Sequence, residues 1–235
     1  MKRILTILLS LVVATVAMAQ HTYVLSIGIS NYEGTVNDLR YAGKDAKSVY
    51  SIFKKQPNTT AALITGKNAT PDNIDKKLNA IVKLAKPGDK IIFFYSGHGD
   101  LGSFICTDLS EYEYDHLVSI LGKAKTHDVF CFIDACFSGS VKYSTDYPWI
   151  TFMSASRSVE TSQEHPELDH GFFAQGLIKG LRGMSDANSD HRVTVRELFN
   201  YTYNDVITRT KTPQHHPQLI GPSAADDKVI IDWNR

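Results

Sequence analysis

The feature that most constrains this chain is the recurrence of short, near-continuous apolar runs: TYVLSIGI (22–29), IIFFYS (91–96) and VFCFIDA (129–135). Runs of this length without polar alternation mark strands buried on both faces. Between them apolar residues recur at helical spacing, as Ala42, Ala46, Val49, Tyr50 and Phe53, then Ile74, Leu78, Ile81, Val82 and Ala85, then Leu117, Ile120, Leu121 and Ala124. Each set places one apolar stripe on a helix. Thr70-Pro71 supplies an N-cap and a first-turn proline for the second helix, and Lys86-Pro87-Gly88 stops it.

The same alternation continues with strands at AALIT (61–65) and WITFMSAS (149–156). Helices follow through Phe172, Phe173, Leu177, Ile178 and Leu181, and through Val195, Leu198, Phe199 and Val206, while PQLIG and KVIID read as edge pieces. Strands alternating with amphipathic helices predict an α/β fold, a mainly parallel sheet with helices on both faces. The polar stretches 144–148 and 158–169 are the expected loops around a site.

Residues 1–19, MKRILTILLSLVVATVAMA, order two basic residues, an apolar run and an Ala-x-Ala corner, the arrangement of a cleavable secretory signal. The expected working chain is then one domain over residues 20–235, exported to the periplasm or the extracellular space, with no membrane contact once the signal is removed and a monomer favoured. Lys and Arg balance Asp and Glu at 25 each, which leaves no field to attract nucleic acid or an anionic surface. Cys106, Cys131 and Cys136 are too few for a disulfide framework. Cys131 reads as a buried small hydrophobe, Cys106 likewise, with a Cys106–Cys131 bridge as the less favoured alternative.

Catalytic groups of an open parallel sheet collect beyond the carboxyl ends of its strands. His98 follows the run 91–96, Cys136 follows the run 129–135, and a right-handed crossover commonly sets two such strands side by side. An imidazole beside a thiol is the pairing required for nucleophilic sulfur chemistry. Gly97 and Gly99 allow backbone to approach a ligand, and the amides of Gly99 and Cys136 are candidates for an oxyanion site. Ser96 and Asp134 each precede these residues by two, so the strand period aims them at the same face. A carboxylate raises a neighbouring thiol's pKa, so Asp134 suits the floor of a pocket for a cationic side chain better than an activator of Cys136.

FFYSGHG, CFIDACFSG, SASRSVETSQE and HGFFAQGLIKGLRG, in this order from Thr22 to Pro217, resemble the caspase-like cysteine peptidases, specifically the bacterial orthocaspase and metacaspase branch. The resemblance implies a caspase-like three-layer sandwich, a peptidase domain over residues 20–235, a His98–Cys136 dyad with Gly99 at the oxyanion site, and a substrate pocket built from Asp45, Ser96 and Asp134. Caspases proper carry Gln where Asp134 stands and select aspartate with arginines. The acid here implies cleavage after Arg or Lys in a peptide or protein substrate. Arg40 and Arg157 are expected at the surface or tethering loops, with an Asp-specific peptidase as one rival and a noncatalytic module binding basic peptides as another. Lys142 is the basic residue available for self-cleavage in the linker after Cys136.

Asp186, Asn188, Asp190, Thr194 and Glu197 fall at positions one, three, five, nine and twelve of an EF-hand-like loop, with His191 where the turn wants glycine. Thr194 and Glu197 also spell a capping box for the helix that follows. No cofactor is required by the expected chemistry, and calcium at this loop stands as a hypothesis.

Overall fold

The structure is a computed structural model that describes residues 20–165, 167–210 and 215–234. The expected signal sequence lies outside the described residues. In chain order the elements are β1 (Thr22–Gly28), α1 (Ala42–Lys54), β2 (Thr59–Thr65), α2 (Pro71–Leu84), β3 (Lys90–Ser96), β4 (Gly99–Asp100), β5 (Ser103–Ile105), β6 (Glu111–Glu113), α3 (Tyr114–Leu121) and β7 (Asp128–Asp134). They continue with β8 (Ile150–Ser154), β9 (Glu164–His165), β10 (His170–Gly171), α4 (Phe172–Lys179), β11 (Arg192–Thr194), α5 (Val195–Thr210), β12 (Gln218–Ile220) and β13 (Val229–Asp232).

Six strands form the main sheet in the order β12-β8-β7-β3-β1-β2. All its neighbours are parallel except the edge pair β12 and β8. Period-two alternation divides the buried strands between two cores. Leu25, Ile27, Phe93, Tyr95, Cys131 and Ile133 pack with Ile74 and Leu78 of α2 and Leu117 and Leu121 of α3. Val24, Ile92, Phe94, Phe130 and Phe132 pack on the other face with Val49 and Phe53 of α1, Phe173 and Leu177 of α4, and Leu198 of α5. The three layers follow from strands that can expose neither face, each fully buried Leu, Ile or Phe contributing about 1.5–3 kcal/mol over leaving it in water.

The segment that follows β3 is not part of this sheet. Its strand β5 joins β4 and β6 in a three-stranded antiparallel sheet beyond β3. β13 pairs antiparallel with β11, away from the main sheet. Thr70 does occupy the N-cap of α2, yet its side chain makes no capping hydrogen bond, and Pro71 begins the helix.

Register fixes the site. Gly28 of β1 lies opposite Ser96 of β3, and Ser96 opposite Asp134 of β7. A Cβ at Gly28 would stand 2.2 Å from the Ala42 carbonyl oxygen and 2.7 Å from Ala46 Cβ, so glycine lets the start of α1 settle on the strand ends. Gly28→Val is expected to cost about 1–3 kcal/mol through overpacking. Its chemical denaturation midpoint should fall accordingly, and an unchanged midpoint would contradict the close approach.

Candidate active site

β3 ends at Ser96, and Gly97 carries the chain over two tyrosine hydroxyls. A Cβ there would come within 2.3 Å of Tyr95 Oη and 2.7 Å of Tyr32 Oη. Those hydroxyls hold His98: its N–H donates to Tyr32 Oη at 2.8 Å, and Tyr95 Oη donates to its carbonyl at 2.8 Å. The imidazole packs against the Tyr32 ring at 4.8 Å between centroids. Its Nε2 lies 2.8 Å from the Asn37 carbonyl, an oxygen that can only accept. This contact assigns the proton to Nε2 and leaves Nδ1 as the basic nitrogen.

Cys136 is presented by a tight turn beyond β7. Phe137 adopts φ 55°, and its N–H donates to the Glu160 carbonyl at 2.8 Å. Ser138 is fully buried and accepts the Ala155 N–H at 3.1 Å, which ties the turn to the end of β8. A Cβ at Gly99 would stand 2.5 Å from the Cys136 carbonyl oxygen, so the two candidate oxyanion residues touch through their backbones. The Cys136 thiol points to the Ser162 carbonyl at 3.7 Å. Burial raises its pKa, with the charge of Asp134 adding to the effect and the Ser162 contact opposing it. Cys136 therefore rests as a thiol. No hydrogen bond joins it to His98 among the described residues; both side chains line one cleft.

That cleft, of about 180 Å³, is lined by Leu39, Asp45, Ser96, His98, Asp134 and Cys136, with Ser162–Glu164 and Gly171 closing it. Asp45 of α1 and Asp134 are 1% and 5% exposed. Asp45 receives Ser96 Oγ at 3.0 Å, His170 Nδ1 at 2.5 Å and the Gly171 N–H at 3.4 Å. Asp134 receives Ser162 Oγ at 2.6 Å and the Ala174 N–H at 3.0 Å. Burial, and then the neighbouring charge of Asp45, push the Asp134 carboxyl up to about 7. Burial raises Asp45 too, against the opposing pull of His170. Two desolvated acids thus line the same cleft as the thiol.

The structure thus brings His98, Gly99, Cys136, Asp45, Ser96 and Asp134 together. It adds Tyr32 and Asn37, which carry no signal in the sequence, and Ser162, Glu164 and His170, which lie in the motifs SASRSVETSQE and HGFFAQGLIKGLRG without an assigned role. Ser162–Glu164 come from the polar stretch 158–169. The stretch 144–148 instead faces Asp115, Val118 and Ser119 in a separate groove, with exposed Lys142 at its rim. Neither Arg40 nor Arg157 lines the cleft. Arg157 pairs with Glu160 at 3.6 Å, and the Arg40 backbone N–H donates to Glu164 at 2.9 Å. All three cysteines are free, Cys106 and Cys131 fully buried.

The EF-hand-like loop turns its oxygens on itself. Asp186 accepts the N–H groups of Asp190 and His191 at 3.2 and 3.0 Å, and Asp190 accepts that of Arg192 at 2.9 Å. Thr194 and Glu197 exchange the capping-box bonds at 3.0 and 3.3 Å. No group of three or more His, Cys, Asp or Glu side chains converges as a metal site among the described residues.

A family model described as Peptidase_C14, caspase domain, matches residues 21–224. Over 97 residues the chain is 36% identical to Metacaspase-2 of Trypanosoma brucei brucei (strain 927/4 GUTat10.1), covering 37% of this chain and 28% of that protein. Over 219 residues it is 25% identical to Metacaspase-2 of Arabidopsis thaliana, covering 80% and 46%. The chain spans less than half the length of these curated relatives. Among solved structures, Caspase-1 from Spodoptera frugiperda superposes with a TM-score of 0.67 at 13% identity, covering 86% of this chain and 89% of that one. A Geobacter sulfurreducens protein gives 0.68 at 16% identity, covering 90% and 98%. At these identities the structural likeness is one of fold.

Proposed function

Because this chain belongs to the caspase-domain family of cysteine peptidases, we propose that it is an endopeptidase that uses a His98–Cys136 dyad to cleave peptide bonds after Arg or Lys. The observation that carries the specificity is the pair of buried carboxylates, Asp45 and Asp134, lining the same cleft as the thiol and the imidazole.

A substrate whose cationic side chain enters the cleft brings its carbonyl carbon to Cys136. Sγ attacks that carbon while its proton passes to His98 Nδ1, the nitrogen left basic by the Asn37 contact. The carbonyl oxygen gains the negative charge, which the amides of Gly99 and Cys136 would receive. Collapse breaks the C–N bond, and the proton on Nδ1 goes to the leaving amine. Water, deprotonated by the same nitrogen, then hydrolyses the thioester and regenerates the thiol. Specificity for aspartate would need a cation in the cleft, and the tethering of Arg157 to Glu160 speaks against it. We further propose export of the chain through residues 1–19, and Lys142 as a self-cleavage point whose exposure permits access.

A panel of fluorogenic peptides differing in the residue before the scissile bond tests the proposal, run with calcium and with a chelator to separate a metal-triggered enzyme from one active as folded. Arg and Lys peptides are expected to exceed the Asp peptide by at least about a hundredfold in kcat/KM, the range opened by matching rather than opposing a buried charge. Preference for Asp, or no preference, would overturn the pocket assignment.

A further inference from the structure

His170 does not line the cleft, yet it makes the shortest contact to a cleft carboxylate, Nδ1 to Asp45 Oδ1 at 2.5 Å. Its side chain is 12% exposed and that of Asp45 1%. The chain at this point runs between the two acids. A Cβ at Gly171 would stand 2.5 Å from Asp134 Oδ2 and 3.5 Å from Asp45 Oδ2, and only glycine lets β10 pass so close. The turn into α4 then gives Asp134 the Ala174 N–H.

Charged and titratable groups reach this point from several elements, and His165 of β9 stands opposite His170 in the β9–β10 pair. Asp45 comes from α1, Asp134 from β7, and Glu164 from β9, where it is engaged by the N–H groups of Arg40 and Tyr41 at 2.9 and 2.8 Å. Cys136 and His98 face the cleft from the strand ends. Lys44 pairs outward with Asp169, both well exposed. Among the described residues, His170 is therefore the cation-capable side chain in direct contact with the acid pair.

We propose that His170 is a positioning residue for specificity: bound to Asp45, it supplies one positive charge that offsets one of the two buried carboxylates, so the cleft presents a single net negative charge, centred on Asp134, to a singly charged side chain. This rests on the reading that the cleft receives Arg or Lys. It explains why a pocket for one cation holds two acids. Without an internal counter-charge, like charges this close do not both ionise near neutrality, and the empty socket would retain a proton that an arriving cation must displace.

His170→Asn separates charge from hydrogen bonding. The Asn Nδ2 can occupy the place of the imidazole Nδ1 and still donate to Asp45, but it carries no charge. In a Cys136→Ala background, which removes the thiol's own titration, calorimetry would follow binding of N-acetyl-arginine amide and its uncharged isostere N-acetyl-citrulline amide across the neutral pH range. Arginine-amide affinity rises with pH and levels off once the carboxylates have lost their protons. Removing the positive neighbour makes that loss harder, so the levelling-off point should move up by about one pH unit in His170→Asn, the lower end of what an adjacent opposite charge does to a carboxylate. The citrulline amide should show no such shift. Nitrogen chemical shifts of the His170 ring provide a check in the unsubstituted protein, where an imidazolium signature is expected at neutral pH. Superimposable arginine profiles, or a neutral ring, would reduce His170 to a strut and overturn the inference while leaving the basic pocket standing. Equal binding of the two amides at every pH would instead overturn the basic pocket, and this inference with it.

Discussion

Cys136→Ala should abolish peptide hydrolysis, with kcat reduced by about four orders of magnitude or more, while the protein keeps its melting temperature to within a few degrees. The expected size follows from losing a covalent nucleophile that acts as a unit with its base. Little structural damage is expected, because the thiol makes one long contact, 3.7 Å to the Ser162 carbonyl, and the turn that presents it is fixed by backbone and by Ser138. Neither other cysteine can take over. Cys106 and Cys131 are fully buried, and burial pushes both thiols up, Cys106 to about 12. Residual hydrolysis above a tenth of the unsubstituted rate would show that another group attacks the substrate.

Asp134→Asn should be selective instead. Kcat/KM for Arg and Lys peptides should fall by about a hundredfold, since the cation would lose its partner in a desolvated socket, while a citrulline peptide should change by less than about tenfold. The pH dependence has a defined sign. With its carboxyl raised to about 7, Asp134 is protonated below that point in the empty cleft and ionised above it. Preference for arginine over citrulline should therefore grow as pH rises through about 7 and shrink below it. Taking the ratio of the two substrates cancels any pH dependence that the two share. For stability the sign is opposite: an acid whose folded pKa lies above its unfolded 3.8 favours the folded state less as pH climbs from 3.8 to about 7. A bound cation should relieve that loss. Equal damage to arginine and citrulline peptides would assign Asp134 a structural role.

The fold is legible in the sequence where burial leaves no freedom. β1, β3 and β7 are flanked by helices on both sides, so every residue from Val24 to Gly28 or from Ile91 to Ser96 is buried, and that condition writes itself as an apolar run. The pairing of β3 with β7 follows from crossover handedness, and with it the meeting of His98 and Cys136 at one rim. β4, β5 and β6 are less visible because strands of two or three residues carry too few positions to show a period.

The cleft was legible in proportion to its closeness to strand ends. Ser96 and Asp134 could be placed by the period of two, whereas Asp45 sits on a helix and entered only through the family resemblance. His170 and Ser162 reach the acids from 125 and 28 residues away in sequence, His170 from a hairpin whose strands are two residues long and Ser162 from the loop before it. Tyr32 and Asn37 hold His98 from the loop after β1, again without a periodic pattern. The EF-hand-like spacing is legible only as intervals along the chain. Oxygens at the right intervals in sequence are engaged here with the loop's own amides.

If a reactive thiol and an anionic socket belong to one site, a single reagent can engage both. Alkylation by a peptidyl chloromethyl ketone tests it, with arginine or aspartate next to the reactive carbon and the site of attachment read by mass spectrometry. The arginine reagent is expected to modify Cys136 in one-to-one stoichiometry, faster than the aspartate reagent by about a hundredfold, and to leave Cys106 and Cys131 untouched. Equal rates for the two reagents, or attachment away from Cys136, would contradict it.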